Sequence, residues 1–178
     1  QSAGFTHWAK LNNLKQAAKT MNFLTEHGIS SYGELESKLT AVSARRDTAH
    51  AEIKRVESRS AELTLVMKHA GTYRQLKPLY DRYRKSNDKE KFLRGHESEI
   101  ILFEAAAREL KRLGAVPLPT TESMKTELAN LNAEKERLLA EYKAARTEAQ
   151  EYETVKQNVD ALLTVPKEQE QQRRHELE

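Results

Sequence analysis

LESKLTAVSARRDTAHAEIKRVESRSAELTLVMKHA, residues 35–70, places mostly apolar or small side chains at alternating intervals of four and three positions, with Arg46 and Ser60 as polar exceptions. Residues 124–163 keep the same alternation. A 3.5-residue period keeps one row of side chains facing a partner helix, so each stretch predicts one helix of a coiled coil. These rows, here called the seam, comprise positions 35, 39, 42, 46, 49, 53, 56, 60, 63, 67 and 70, and positions 124, 128, 131, 135, 138, 142, 145, 149, 152, 156, 159 and 163.

The composition favours an elongated helical protein over one built around a large core. Of the 178 residues, 38% are hydrophobic, 32% are charged and 6% are aromatic. The absence of cysteine excludes a disulfide framework and a thiolate zinc site, and is typical of a cytoplasmic protein. No apolar run approaches the roughly 20 residues of a membrane span, so we predict no membrane partner. The first residue is Gln, which suggests a piece of a longer protein.

Helix-ending and helix-capping residues divide the chain. Ser31 with Glu34 forms a capping box that begins the first long helix, and Gly71 with Thr72 is expected to interrupt it. A stripe that includes Trp8 predicts an earlier helix, which Gly28 ends. The predicted segments are an N-terminal helix packing on the coiled coil (1–29), the first coiled-coil helix (30–70), a basic helical head (71–119), the second coiled-coil helix (120–164) and a charged tail (165–178).

We therefore predict an all-α fold: an elongated, long antiparallel coiled-coil hairpin with a small helical head and an N-terminal helix. The direction of the second long helix depends on Gly71. A break there leaves two short helices in the head, so the second long helix returns antiparallel to the first. If the first helix instead runs on to Lys85, the second is expected to be parallel to it.

Polar seam positions predict how the two long helices align. In the antiparallel arrangement, Ser60 is expected to lie near Lys135 and Arg46 near Glu148. Polar residues that meet polar partners within an apolar seam are a known way of fixing the register of a coiled coil.

No catalytic residue, metal ligand or cofactor site is predicted. The six histidines are at least five positions apart, so they offer no local metal-binding pair. The sequence lacks a Walker phosphate loop, a G-x-G-x-x-G motif and a G-x-S-x-G motif. Its carboxylates alternate with lysine and arginine along the predicted helices, as on solvated surfaces.

The stretch from Tyr73 to Arg94 is the exception to this even charge distribution. It carries eight cations against three carboxylates, with aromatic residues interleaved, while the whole chain has a net charge of only +3. Cations that neutralise phosphates beside rings that stack on bases suit nucleic-acid binding. Alternatively, the tyrosines pack the head and the cations stay solvated. The candidate nucleic-acid-binding residues are Arg74, Lys77, Tyr80, Arg82, Tyr83, Arg84, Lys85, Lys89, Lys91 and Arg94.

Several stretches together resemble one protein family. They are HWAK (7–10), NNLKQAAKTMNFLTEHGISSYGEL (12–35), YRKSNDKEKF (83–92), residues 102–148 and VKQNVDALL (155–163). The resemblance is to the region C-terminal to the nuclease domain in relaxases, or mobilisation nucleases, of conjugative transposons and integrative conjugative elements from Gram-positive bacteria. Relaxases of this class nick DNA with a tyrosine and a histidine-bound metal, and neither feature can be placed on this sequence.

The resemblance implies a non-catalytic coiled-coil domain that acts in DNA mobilisation. Its expected partners are relaxosome or coupling proteins, with DNA contacted through the basic stretch at 73–94 and self-association into a homodimer as a further option. Two alternatives remain open at this point: a structural or dimerising coiled coil with no nucleic-acid role, and a stand-alone nucleic-acid-binding helical module.

Overall fold

The computed structural model describes the backbone of residues 3–175 and the side chains of residues 12–164. This part of the chain is all-helical and contains no strand, which confirms the predicted class. Its helices are α1 (Ala3–Glu26), α2 (Tyr32–Lys85), α3 (Lys89–Arg112) and α4 (Thr121–His175). None of the helices in the described residues combines the length and apolar character needed to cross a membrane. The side chains of Trp8 and of the tail at 165–178 lie outside the described residues.

The chain forms two compact units: unit 1, Gln1–His50 with Ala140–Glu178, and unit 2, Ala51–Leu139. In unit 1, α1 ends at the predicted glycine, because Gly28 adopts the left-handed conformation with φ of 61°. The start of α2 is capped as predicted, with the Glu34 amide donating to Ser31 Oγ at 3.2 Å. The Glu34 carboxylate accepts a bond of 2.7 Å from the Ser30 amide, one residue earlier than a capping box requires.

Three helices share the core of unit 1. The side chains of Tyr32 and Asp160 join the start of α2 to the later part of α4 at 2.6 Å, and Arg45 pairs with Glu148 at 2.5 Å. Earlier residues of α2 thus pair with later residues of α4, so these two helix portions run antiparallel. The core cluster consists of Ile29, Leu35, Val42, Ala149, Tyr152 and Val155, with Phe23, Leu24, Leu39 and Val159 packed against it.

The seam positions face inward, as the heptad pattern predicts. Every seam position in residues 35–70 is buried or half-buried, and the same holds from Met124 to Val159. Leu163 departs from the pattern, since its side chain is 56% exposed. The α4 backbone also stays helical to His175, beyond the predicted end at residue 164. Glutamate, glutamine, lysine and arginine dominate residues 167–174, and all four are strong helix formers.

The predicted interruption at Gly71 and Thr72 is wrong, because α2 continues through both residues to Lys85. Glycine inside a helix costs only about 1 kcal/mol relative to alanine. Beyond it, Tyr73 and Tyr80 contact Phe103 of α3, and this tertiary packing offsets the weak helix propensity of the glycine. The first coiled-coil helix therefore does not end at residue 70, and part of the predicted head is the C-terminal portion of α2.

The expectation that a continuous α2 makes α4 parallel to it is also wrong. In unit 2, Arg55 pairs with Glu134 at 2.9 Å and Arg59 pairs with Glu127 at 2.7 Å, so earlier α2 residues again meet later α4 residues. The two helices are antiparallel there. The expectation was wrong because it counted one chain reversal too many between α2 and α4.

The connection from residue 113 to residue 120 does not reverse the direction of the chain. The first part of α3 contacts the end of α2 through Phe92 and Tyr83, and its later part reaches Tyr73, so α3 runs antiparallel to α2. The connection places the start of α4 beside the part of α2 that the end of α3 reaches, because the Arg74 guanidinium donates to the Pro119 carbonyl and to the Thr121 hydroxyl. α4 therefore begins beside Arg74 and runs in the same direction as α3.

The two polar pairs predicted across the seam form with different partners. Glu148 pairs with Arg45 rather than Arg46, and Lys135 pairs with Glu57 at 2.7 Å rather than with Ser60. The long charged side chains beside the seam reach across it, whereas the buried Ser60 hydroxyl has no hydrogen-bond partner. The observed pairs lie within one helical turn of the predicted ones.

Alanine substitutions at two glycines distinguish a continuous α2 from an interrupted one. Gly71 lies in a helix with no atom within 4 Å of an added Cβ, so Gly71→Ala is expected to raise the free energy of unfolding by about 0.5–1 kcal/mol. Gly114 has equal space but a φ of 68°, so Gly114→Ala is expected to lower it by about 1–2 kcal/mol. Urea unfolding followed by circular dichroism measures both. A loss of stability in Gly71→Ala would contradict the continuous helix.

The contacts of Asp160 predict a pH dependence of stability. Hydrogen bonds from Tyr32 and from Lys156 lower the pKa of the Asp160 carboxyl below its ordinary 3.8. A lowered folded-state pKa means that the stabilisation is present above pH 3.8 and is lost as the pH falls through the folded value. Asp160→Asn should therefore lower the melting temperature at pH 6, and the difference from the original chain should shrink toward pH 2.5. A difference that does not change with pH would contradict this role.

Candidate nucleic-acid interface

The predicted basic residues gather where α2 ends and α3 begins, in unit 2. We call residues 74–94 the basic tip. Ser86, Asn87 and Asp88 form the turn between the helices, and the Ser86 hydroxyl accepts a bond of 3.2 Å from the Asp88 amide. The Asp88 carboxylate caps α3 by accepting a bond of 3.0 Å from the Lys91 amide. The turn is thus fixed by its own side chains.

Two of the candidate cations are occupied by contacts within the chain. Arg74 holds the start of α4, with its guanidinium 2.7 Å from the Thr121 hydroxyl and also bonded to the Pro119 carbonyl. Lys77 pairs with Asp81 one turn away at 2.9 Å, and this bond raises the pKa of Lys77. These two residues serve the fold of unit 2, and the remaining six candidate cations differ from them.

The six remaining cations are exposed, and none lies within ion-pair distance of a carboxylate in the described part of the chain. One of them also lies over a ring of the tip: the Arg82 guanidinium is 5.7 Å from the centre of the Phe92 ring. By contrast, Arg45, Arg55 and Arg59 beside the seam each pair with a glutamate across it. The six cations are Arg82, Arg84, Lys85, Lys89, Lys91 and Arg94.

Helix electrostatics explain only half of this cluster. Arg82, Arg84 and Lys85 occupy the last turn of α2, where the helix dipole favours positive charge. Lys89 and Lys91 occupy the first turn of α3, where the dipole disfavours it. Helix stability therefore gives no reason for the two lysines, whereas binding of an anion at this end of the helix does.

The tyrosines of the tip pack between helices. Tyr80 stacks on Phe103 at 4.2 Å, and its hydroxyl donates to Glu104 at 3.4 Å. Burial is the main cause that raises the pKa of Tyr80. Tyr83 lies between Tyr80 and Phe92, with ring centres 5.9 and 6.1 Å away. Both tyrosines are half-buried, so the tip separates inward-facing rings from outward-facing cations.

The sequence did not single out Phe103 as an organising residue. It is 5% exposed and stacks against Tyr73 at 4.8 Å as well as against Tyr80. The spacing of Ile100, Phe103 and Ala106 along α3 is the signal that marks this face as buried. The bonds from Arg74 to the start of α4 have no comparable local signal, because they join residues far apart in the chain.

α3 changes direction between the tip and its buried portion. His96 has the non-helical angles φ −141° and ψ 25°, and Gly95 precedes it. The His96 ring lies 4.8 Å from Phe92, and its Nδ1 lies 3.5 Å from the Glu99 carboxylate. Three of the six cations, on residues 89–94, thus lie on a short helical segment before this kink.

The other described regions provide fewer candidate functional groups than the basic tip. Among the described residues, no group of three or more histidines and carboxylates could hold a metal ion. A groove of about 540 Å³ in unit 1 lies between α1 and α4, beside Thr20 and Asn158. These two residues form a bond of 3.2 Å across it. No protein-family model, curated protein or solved structure matches the chain.

Adjacent substitutions in α3 test whether Phe103 holds the tip together. Phe103→Ala removes a buried ring that contacts two tyrosines, so the free energy of unfolding is expected to fall by about 3–5 kcal/mol. Leu102→Ala is the matched control, because the Leu102 side chain is 55% exposed and its loss should change stability by less than about 0.5–1 kcal/mol. Equal effects in urea unfolding would show that Phe103 has no special role.

Proposed function

We propose that this chain is a non-catalytic helical domain that contacts DNA through the basic tip. The observation that carries the proposal is the set of six exposed cations without carboxylate partners on either side of one capped turn. Elsewhere in the chain, arginines beside the seam are paired with glutamates. Unpaired cations release counterions when they neutralise phosphates, and this release drives much of the affinity for nucleic acid.

The proposal includes a biological setting in DNA mobilisation. The resemblance to the helical region of conjugative relaxases supports a role beside a separate nicking domain, with relaxosome or coupling proteins as partners. In this setting the chain would contribute DNA contact and protein docking, and the nicking chemistry would belong to another part of the complex.

We further propose that α2 and α4 pair as an antiparallel coiled-coil hairpin. Burial at the seam positions supports this pairing, as do the ion pairs beside the seam in each unit. The seam positions at 35–70 and 124–159 are covered within the chain, so this row is not free to pair with a second copy. The arrangement therefore favours a DNA-contacting domain over a dimerising coiled coil that uses the same seam.

Fluorescence anisotropy with a labelled 30-base-pair duplex tests the DNA contact. The variant carries Arg84→Gln, Lys85→Gln and Lys91→Gln, three exposed cations of the tip with no ion pair among the described residues. Binding near 100 mM salt is expected to weaken at least tenfold. The slope of log affinity against log salt should become less steep by about two to three, since each lost phosphate contact contributes about 0.9.

The matched control removes the same charge outside the tip. Lys54→Gln, Lys68→Gln and Arg108→Gln also replace three exposed cations of unit 2. This control should retain affinity within about twofold to threefold if the location of the charge matters. Equal weakening by both triple variants would mean that net charge alone governs binding, and the basic tip would lose its assigned role.

A further inference from the structure

We infer that the basic tip recognises the phosphate backbone of double-stranded nucleic acid and does not bind single strands by stacking on their bases. This inference rests on the proposed function and adds the class of ligand. It follows from the division of the tip into packed rings and unpaired cations.

The rings of the tip are engaged in contacts within the chain. Tyr80 stacks on Phe103, and Tyr83 is flanked by Tyr80 and Phe92. Phe92 in turn contacts His96 at 4.8 Å and lies under the Arg82 guanidinium. Proteins that bind single strands without sequence preference offer aromatic faces on which successive bases stack. A base that stacked on Tyr80 or Tyr83 would compete with the contacts that join α2 to α3.

The cations, in contrast, need no rearrangement to meet phosphates. Arg84 and Lys85 end α2, and Lys89, Lys91 and Arg94 follow directly in α3 across the Ser86–Asp88 turn. All five are exposed and have no ion pair in the described part of the chain, so no internal salt bridge has to break on binding.

The density of charge on the ligand favours a duplex. Double-stranded DNA carries one negative charge per about 1.7 Å of helix axis, and it releases more counterions per neutralised phosphate than a single strand does. A surface that offers charge without stacking therefore gains more from a duplex. A single strand would also lose chain entropy on ordering, without stacking energy to offset that loss.

The tip lacks the apolar component that an anionic membrane surface would use. Amphipathic helices bind membranes by combining cations with buried apolar side chains. Among the described residues from 73 to 94, no large hydrophobic side chain is strongly exposed, and the exposed Ile101 and Leu102 lie beyond the kink at His96. The exposed charged groups of the tip are therefore mainly cations, which outnumber the exposed carboxylates of Asp88 and Glu90, and this surface suits a polyanion such as duplex nucleic acid.

The experiment compares a 30-base-pair duplex with each of its two single strands in a salt series, using anisotropy and the intact chain. We expect the duplex to bind at least tenfold more tightly than either strand. Tyr83→Leu removes one half-buried ring of the tip but keeps an apolar side chain, and Tyr83→Phe keeps the ring. Both variants should bind the duplex within about twofold of the original chain.

The cation variant Lys89→Gln, Lys91→Gln and Arg94→Gln provides the contrast. It should lose at least tenfold in duplex affinity while its helix content, measured by circular dichroism, remains unchanged. If Tyr83→Leu disturbs the fold, Tyr83→Phe and the cation variant still show whether the Tyr83 hydroxyl or the positive charges determine the affinity for the duplex. The ratio of duplex affinity to single-strand affinity is measured on the original chain and does not depend on any variant.

The outcomes separate this inference from the function on which it rests. Single strands that bind as tightly as the duplex, or a fivefold or greater loss in Tyr83→Leu with its fold intact, would overturn the inference and leave DNA contact standing. Absence of binding to every DNA at 20 mM salt would overturn both. Binding to vesicles containing 30% phosphatidylserine without binding to DNA would also overturn both, and would assign the cations to a membrane surface.

Discussion

Burial of small and branched side chains along the seam is the interaction on which the rest of the structure depends. A chain with 32% charged residues has few places to remove apolar surface from water, and the repeat in α2 and α4 supplies most of them. The ion pairs beside the seam, such as Arg55 with Glu134, are exposed and individually contribute little. They set which residues meet, whereas apolar burial provides the free energy that keeps the helices together. Ala145 and Ala149 have nearly no exposure, so close approach of the helices in unit 1 is part of this packing.

Periodic and local signals in the sequence were sufficient to predict the helical class, the inward face of each long helix and the end of α1 at Gly28. These features depend on neighbours within a few residues, which the sequence displays directly. The path of α2 past Gly71 could not be read in the same way. A glycine is a weak helix former whose cost of about 1 kcal/mol is smaller than the packing of Tyr73 and Tyr80 on Phe103, and that packing partner is far away in sequence. The direction of α4 was predicted wrongly for a related reason: the sequence does not show that residues 113–120 lead into α4 beside Arg74 without reversing the chain.

The location of the candidate site was predictable from the sequence, but the contacts of its individual residues were not. Charge can be counted along the sequence, so the basic stretch was evident, and most of its cations are exposed as expected. The sequence could not show which of them are free. Arg74 and Lys77 are indistinguishable by composition from Arg84 and Lys85, yet the first two are bonded to Thr121 and Asp81. The tyrosines likewise fit both base stacking and internal packing, because helical spacing does not reveal whether another helix covers that face.

The tip combines rings packed between helices with exposed cations that make no ion pair among the described residues. Its rings join α2 to α3, and its turn is closed by Ser86 and Asp88, so the positions of the cations are fixed without their own participation. Lys89 and Lys91 are unfavourable for the free helix, since positive charge in the first turn opposes the helix dipole. Neutralisation by an external anion would relieve this repulsion, so binding and local helix stability are coupled. The same lysines that slightly destabilise the free α3 terminus would stabilise it when phosphates are bound. Because these cations lie outside the packing network, the proposed salt-dependent attraction to a polyanion would cost the fold little stability.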